Sequence, residues 1–283
     1  MIIRMIPIYN ASGARCTTFK ELQELDSSDS SYVLSKSCTL EAREGNPGKR
    51  YWENSDISIN STGLANLGYE KYLEFEFNKP YIVSVAGLTL DDNLTIIRAI
   101  QDTEINSIEL NLSCPNIKGK PEVAYDFDAS EEYLRKIFEF NEIPLGLKLP
   151  PYPNDFYWGC MADVIKEFSV KFVTCINSPG NCIVIDPLTD LPVIEPNGGH
   201  GGMGGKYVLP IALANVKKFR QLLPNRIDII GCGGISTGQD VYHHMLCGAS
   251  AVQVGTAFMK EGVGIFTKLK NELEIIMKET NGL

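Results

Sequence analysis

The chain has little that would bind nucleic acid, build a structural metal site or cross a membrane. Lys and Arg number 26 against 35 Asp and Glu, for a net charge of −9, and no basic run breaks that balance. Nucleic acid and anionic membrane surfaces are therefore poor partners. Histidine is scarce, at three residues. The eight cysteines (Cys16, Cys38, Cys114, Cys160, Cys175, Cys182, Cys232 and Cys247) contain no C-x-x-C pair. That argues against structural zinc and against a disulfide framework. Several of them, such as Cys175 in Val173-Thr174-Cys175-Ile176, read as small buried hydrophobes in a reducing, cytoplasmic setting. No apolar run approaches the roughly 20 residues of a membrane span. The apolar start, residues 1–8, is too short for a secretory core with its cleavage site and reads as a first strand.

What is present is enough apolar sequence for one large core: 283 residues, 44% of them hydrophobic. A single domain over residues 1–283 is the expectation. Short β-rich runs at 3–8, 32–35, 81–85, 107–112, 145–148, 172–176, 227–231 and 251–254 alternate with helical stretches. The helices are expected at 90–101, 131–141, 161–167, 209–223 and 237–246, with a last one at 265–278. Such alternation implies parallel strands joined by helical crossovers. Eight units at this length point to an α/β fold of the (β/α)8 TIM-barrel type; an open doubly wound sheet is the alternative. Two segments, 39–73 and 178–207, are too long for plain loops. Both follow strands, which places them on the C-terminal face where barrels keep their chemistry.

Polar residues gather at the strand ends. Lys36-Ser37 follows the second strand, Asn111 to Cys114 the fourth, Lys148 ends the fifth, and Asn177-Ser178 follows the sixth. A single lysine at a strand end is commonly surface decoration, but two lysines and several asparagines converging on one face are not. In Asn111-Leu112-Ser113-Cys114-Pro115-Asn116 a thiol stands between amides. That pattern suits proton abstraction beside a carbonyl in a polar ring that the amides hold. After the last two strands come Cys232-Gly233-Gly234 and Gly255-Thr256. Glycines there leave backbone N–H groups open to a phosphate; tight turns are the plainer reading. A phosphate site beside Lys148 suggests flavin mononucleotide (FMN), whose reduced ring is negative at its N1–O2 edge. Pyridoxal phosphate would need a partner for its ring nitrogen, and no clear candidate is present.

These motifs resemble class 1A dihydroorotate dehydrogenase, the fumarate-linked, FMN-dependent type, over nearly the whole chain. The likeness is carried by Asn111 to Asn116 with Gly119-Lys120-Pro121 and Tyr125-Asp126-Phe127, by Ser35 to Thr39, and by Arg43 with Gly45-Asn46-Pro47 and Arg50. Further matches are Asn60-Ser61, Gly63-Leu64, Lys148 with Pro150-Pro151-Tyr152, Asn177-Ser178, Gly204-Gly205-Lys206-Tyr207 and Gly231 to Gly234. Departures include Thr62, Glu195, Asn197 and His200; His200 reads as an exposed loop residue rather than a second base.

The resemblance implies oxidation of (S)-dihydroorotate to orotate in pyrimidine biosynthesis, with Cys114 removing the C5 proton and FMN taking hydride from C6. It implies that Lys36, Asn60, Asn111, Asn116, Asn177 and Ser178 hold the pyrimidine ring and its carboxylate, with the backbone of Thr62, Gly63 and Leu64 helping. For FMN it implies Ser12, Gly13, Lys36, Ser37, Asn111, Lys148 and Ile176, together with Gly205, Cys232, Gly233, Gly234, Gly255 and Thr256. It also implies a cytoplasmic homodimer reoxidised by fumarate, with no Fe–S partner subunit and no metal. Alternatives are a related flavin enzyme acting on another dihydropyrimidine, or a non-catalytic flavin-binding relic.

Overall fold

The computed structural model describes residues 5–113 and 122–281. Its strands, in chain order, are β1 (Ile8–Asn10), β2 (Val33–Leu34), β3 (Tyr51–Glu53), β4 (Ile57–Asn60), β5 (Tyr81–Val85) and β6 (Ser107–Asn111). They continue with β7 (Leu145–Leu149), β8 (Phe172–Cys175), β9 (Gly202–Gly205), β10 (Asp228–Cys232) and β11 (Ala251–Val254). Eight of them form one sheet, ordered β1-β11-β10-β8-β7-β6-β5-β2, with every pairing parallel. Its two ends meet through a side chain. Asn10 Nδ2 donates to the Leu34 carbonyl at 2.7 Å, and the Leu34 N–H donates to Asn10 Oδ1 at 3.0 Å. The amide of Asn10 thus imitates a strand, and the sheet closes as the expected (β/α)8 barrel.

The helices are α1 (Phe19–Asp26), α2 (Tyr69–Leu73), α3 (Leu90–Ile100), α4 (Phe127–Phe138), α5 (Asp155–Lys166), α6 (Leu209–Leu222), α7 (Gly238–Leu246), α8 (Thr256–Glu261) and α9 (Gly264–Asn281). Thr18–Glu21, Thr89–Asp92 and Thr237–Asp240 are capping boxes that satisfy the first free N–H groups of α1, α3 and α7. Helices pack on the outside of the barrel, Ile96, Leu134, Ile165 and Phe219 lying in one core with Val83, Ile108, Leu147 and Val173. The inward residues make a separate apolar floor of Tyr9, Leu34, Ile82, Ile230 and Ala251, with Tyr32 and Phe172 against it. Gly146 is required here, because a Cβ on it would lie 2.2 Å from the Phe172 ring.

Several boundaries differ from expectation. The first strand is Ile8–Asn10 rather than 3–8, with residues 5–7 unpaired as strand and residues 3 and 4 outside the described residues. Helix α1 is additional, and the Thr18-x-x-Glu21 pattern is its signal. Helices α4 and α5 begin earlier than 131 and 161, because Asp126 and Asn154 accept hydrogen bonds from the first-turn N–H groups of Ala129 and Phe156. The two long segments contribute β3, β4 and β9, which pair antiparallel as Trp52↔Ile59 and Ile59↔Met203. This small sheet has its own apolar cluster of Ile59, Val193 and Ile194, with Trp52, Ile57, Cys182, Val184 and Met203 packed on it.

Candidate active site

At the C-terminal ends of the barrel strands, one wall made by the small sheet, lies a cavity of about 620 Å3. Its barrel side is lined by Lys36 and Ser37 after β2, Asn111 of β6, Lys148 of β7, Ile176 to Ser178 after β8, Cys232 to Gly234, and Gln253, Gly255 and Thr256. Ser12 and Gly13 after β1 complete that side, and Ser58, Asn60, Thr62, Leu64, Met203, Gly204 and Gly205 face it. Parallel strands bring these ends together because every crossover returns the chain to the same rim.

The cavity's electrostatics are set by two buried lysines, Lys36 and Lys148. Among the described residues neither has a carboxylate within ion-pair distance. Lys148 Nζ donates to Gln253 Oε1 at 2.7 Å and to Cys232 Sγ at 3.3 Å. Burial works against its charge, but Cys232 and Glu109 nearby outweigh that and hold its pKa above the ordinary lysine value. A buried cation facing a cavity without an ion-pair partner is completed by an anionic ligand.

A second feature is a row of amides. Asn111 Nδ2 donates to Ser37 Oγ at 3.3 Å, and Asn111 Oδ1 accepts from the Ser113 N–H at 3.1 Å and from Asn177 Nδ2 at 3.4 Å. Asn177 Nδ2 also donates to the Ser113 carbonyl, and Asn177 Oδ1 accepts from the Ser178 N–H at 2.9 Å. Asn60 Nδ2 reaches Ser178 Oγ at 3.4 Å and the Gly202 carbonyl at 3.0 Å, so the small sheet is tied to the barrel rim. Ser113 Oγ donates to Glu122 Oε2 at 2.5 Å, and burial pushes that carboxyl above its ordinary value.

The third feature is glycine. Among the described residues the N–H groups of Gly233, Gly234 and Gly255 donate to no protein acceptor. Gly234 has φ +77, and a Cβ on it would lie 2.4 Å from Leu209 Cβ. On the opposite wall a Cβ at Gly204 would lie 2.6 Å from both Ser58 Oγ and Thr256 Oγ1, which themselves hydrogen-bond at 2.9 Å. This end of the cavity is shaped for an anion held by backbone N–H groups.

Of the expected site residues, the cavity gathers Ser12, Gly13, Lys36, Ser37, Asn60, Thr62, Leu64, Asn111, Lys148, Ile176, Asn177 and Ser178. It also gathers Gly205, Cys232, Gly233, Gly234, Gly255 and Thr256. Gly63 does not line it: this residue has φ +65, a Cβ on it would strike Asn46 Oδ1 at 2.4 Å, and it forms the turn between Thr62 and Leu64. Cys114 and Asn116 lie outside the described residues. His200 is exposed and away from the cavity. Residues not singled out from the sequence include Gln253, whose amide in an otherwise apolar strand is the signal, and Tyr51, Asn54 and Asp56, which are carried in by the small sheet.

A parallel barrel whose rim combines buried lysines, a row of amides and open glycine N–H groups has the architecture of (β/α)8 enzymes, which carry their site at the C-terminal ends of the strands. The dihydroorotate dehydrogenase family model matches residues 5–277. The dihydroorotate dehydrogenase (fumarate) of Lachancea kluyveri is 48% identical over 280 residues, covering 96% of this chain and 89% of that one. The dihydroorotate dehydrogenase A (fumarate) of Lactococcus lactis subsp. cremoris is 45% identical over 282 residues, covering 96% and 91%. The dihydroorotate dehydrogenase (fumarate) of Saccharomyces cerevisiae is 48% identical over 281 residues, covering 96% and 90%. The chain belongs to the dihydroorotate dehydrogenase family.

Proposed function

We propose that this chain oxidises (S)-dihydroorotate to orotate in de novo pyrimidine biosynthesis, with FMN bound in the cavity and fumarate as the final oxidant. The observation that carries this reading is a pair of buried lysines, neither within ion-pair distance of a carboxylate among the described residues, in a cavity that also presents glycine N–H groups with no protein acceptor among those residues.

The residues present fit FMN. The N–H groups of Gly233, Gly234 and Gly255, with Thr256, would hold the phosphate, and Lys148 would face the electron-rich edge of the ring. Ser12, Gly13, Ser37, Ile176, Gly205 and Cys232 would complete the pocket. When bound, FMN supplies the two-electron acceptor for hydride from C6.

The rest of the chemistry falls to side chains. Cys114 takes the proton from C5, which lies beside a carbonyl, and loss of that proton with the C6 hydride leaves the C5=C6 bond of orotate. Lys36 balances the substrate carboxylate. Asn60, Asn111, Asn116, Asn177 and Ser178 fix the ring, aided by the backbone of residues 62–64. Asn111 and Asn177 suit this task because each is already oriented by a neighbour, which limits the entropy lost when substrate binds. Fumarate, itself a small dicarboxylate, would use the same carboxylate ligands after orotate leaves and accept two electrons and two protons as succinate. The reading takes the protein as a cytoplasmic homodimer. Among the described residues no helix is long and apolar enough to cross a membrane.

The test is an anaerobic titration of the purified yellow protein. Dihydroorotate is expected to bleach the flavin stoichiometrically, and fumarate is expected to restore the colour faster than NAD or a quinone. A flavin that dihydroorotate leaves oxidised would overturn the reading.

A further inference from the structure

Under the cavity, two residues before Asn111 on β6, lies a carboxylate that the proposed chemistry does not use. Glu109 is completely buried in the middle of β6. Its Oε2 accepts from Gln253 Nε2 at 2.5 Å and from Thr174 Oγ1 at 2.8 Å. Its Oε1 has no hydrogen-bond partner among the described residues. Gln253 continues the chain: its Oε1 accepts from Lys148 Nζ at 2.7 Å, while its Nε2 also reaches the Tyr9 hydroxyl oxygen at 3.3 Å. Gln253 and Lys148 line the cavity, and Glu109 does not.

The polarity of this chain is fixed by chemistry. A primary amide has one accepting end and one donating end. The oxygen of Gln253 accepts from Lys148, which leaves its NH2 end to donate to Glu109 Oε2. An ammonium group can only donate, so the reverse orientation would set donor against donor. Glu109 and Lys148 are thus an acidic and a basic side chain joined through one amide, in surroundings where charge is weakly screened. A buried carboxylate with an unpartnered oxygen is costly to keep, and an apolar residue of similar volume would serve the floor of a barrel as well.

We infer that Glu109 is a positioning residue for Lys148. It orients the Gln253 amide that holds the lysine toward the cavity, and its negative charge moderates the positive field that the lysine imposes on the flavin. The inference rests on the FMN reading above. In that setting Glu109 acts on the cofactor's reduction equilibrium without touching the cofactor.

The test uses FMN-loaded protein, with the flavin reduced anaerobically by dithionite against a two-electron reference dye. Dithionite supplies two electrons and solvent the proton. Glu109→Gln keeps the shape and removes the charge, so it is expected to favour reduced flavin about tenfold, an upward shift of about 30 mV for a two-electron couple. Glu109→Met removes the charge with an apolar side chain and is expected to shift the equilibrium in the same direction, so either variant that retains FMN decides the matter. Glu109→Asp returns the charge and should lie within about threefold of wild type. Thr174→Val, which removes one hydrogen bond and no charge, should do the same. A purely structural Glu109 would lower the melting temperature of all four variants and leave the potential in place, which would overturn the inference. So would an Asp variant that shifts as far as the Gln variant. Wild-type protein that binds no FMN would instead overturn the functional reading itself.

Discussion

At His244 burial decides the protonation state. The ring is fully buried, one nitrogen, Nε2, lies 3.1 Å from the Gly233 carbonyl, and Nδ1 has no partner among the described residues. A carbonyl only accepts, so Nε2 carries the hydrogen and the neutral ring holds the backbone of the glycine turn. Burial pushes its pKa down from 6.5 to about 4, against the smaller upward pull of the Gly233 hydrogen bond and Asp240. The folded-state value is the lower one, so this contribution to stability is intact above about pH 6.5 and is lost as pH falls toward 4. The full loss is on the order of 3 kcal/mol. Urea unfolding at pH 7 and pH 4.5 should show a smaller acid loss in His244→Gln than in wild type. Cys114 gives a second expectation at this scale. Cys114→Ala should retain FMN yet lose flavin reduction by dihydroorotate in stopped flow, and wild-type reduction should accelerate toward the ordinary thiol pKa of about 8.5. Lys36 and Lys148 are legible in the sequence because a lysine ending an apolar strand stands out. Glu109 and Gln253 are harder to read, since period-two alternation does not say which face of a strand turns inward when both faces are covered.

Among the elements, the seam between β1 and β2 depends most on one residue. Asn10→Ala would leave the buried N–H and C=O of Leu34 without their side-chain partners. The expected cost is about 2–4 kcal/mol, read as a shift of the denaturation midpoint. Asn10→Asp should recover part of it, because a carboxylate accepts from the N–H but cannot donate to the carbonyl. The strand–helix alternation of the barrel is legible because each parallel strand needs a crossover. The antiparallel sheet is not. Its three strands come from positions 51–60 and 202–205, and Gly202-Met203-Gly204-Gly205 has the composition of a loop. Only pairing with β4 makes that run a strand. The same distance along the chain hides Tyr51 and Asp56 from a reading that looks for polar residues at barrel strand ends.

For the molecule as a whole, a ligand that binds only the folded state adds to its stability. FMN at about a hundred times its dissociation constant should contribute about 2.7 kcal/mol. That corresponds to roughly 5 °C in melting temperature for a chain of this size, measured on apoprotein with and without FMN. Orthophosphate at the same concentration should give a smaller rise. The cover over the cavity has a consequence of its own. Three of the four residues of β9 carry no side chain, so that ribbon is held largely by backbone pairing to β4, while β6 and β7 below are paired on both edges and packed on their outer face against the helices. Thermal fluctuation can therefore peel this ribbon while the staves beneath stay shut. Amides at 202–205 should trade deuterium well before those of β6 and β7, so the cavity's cover should loosen at conditions that leave its floor intact.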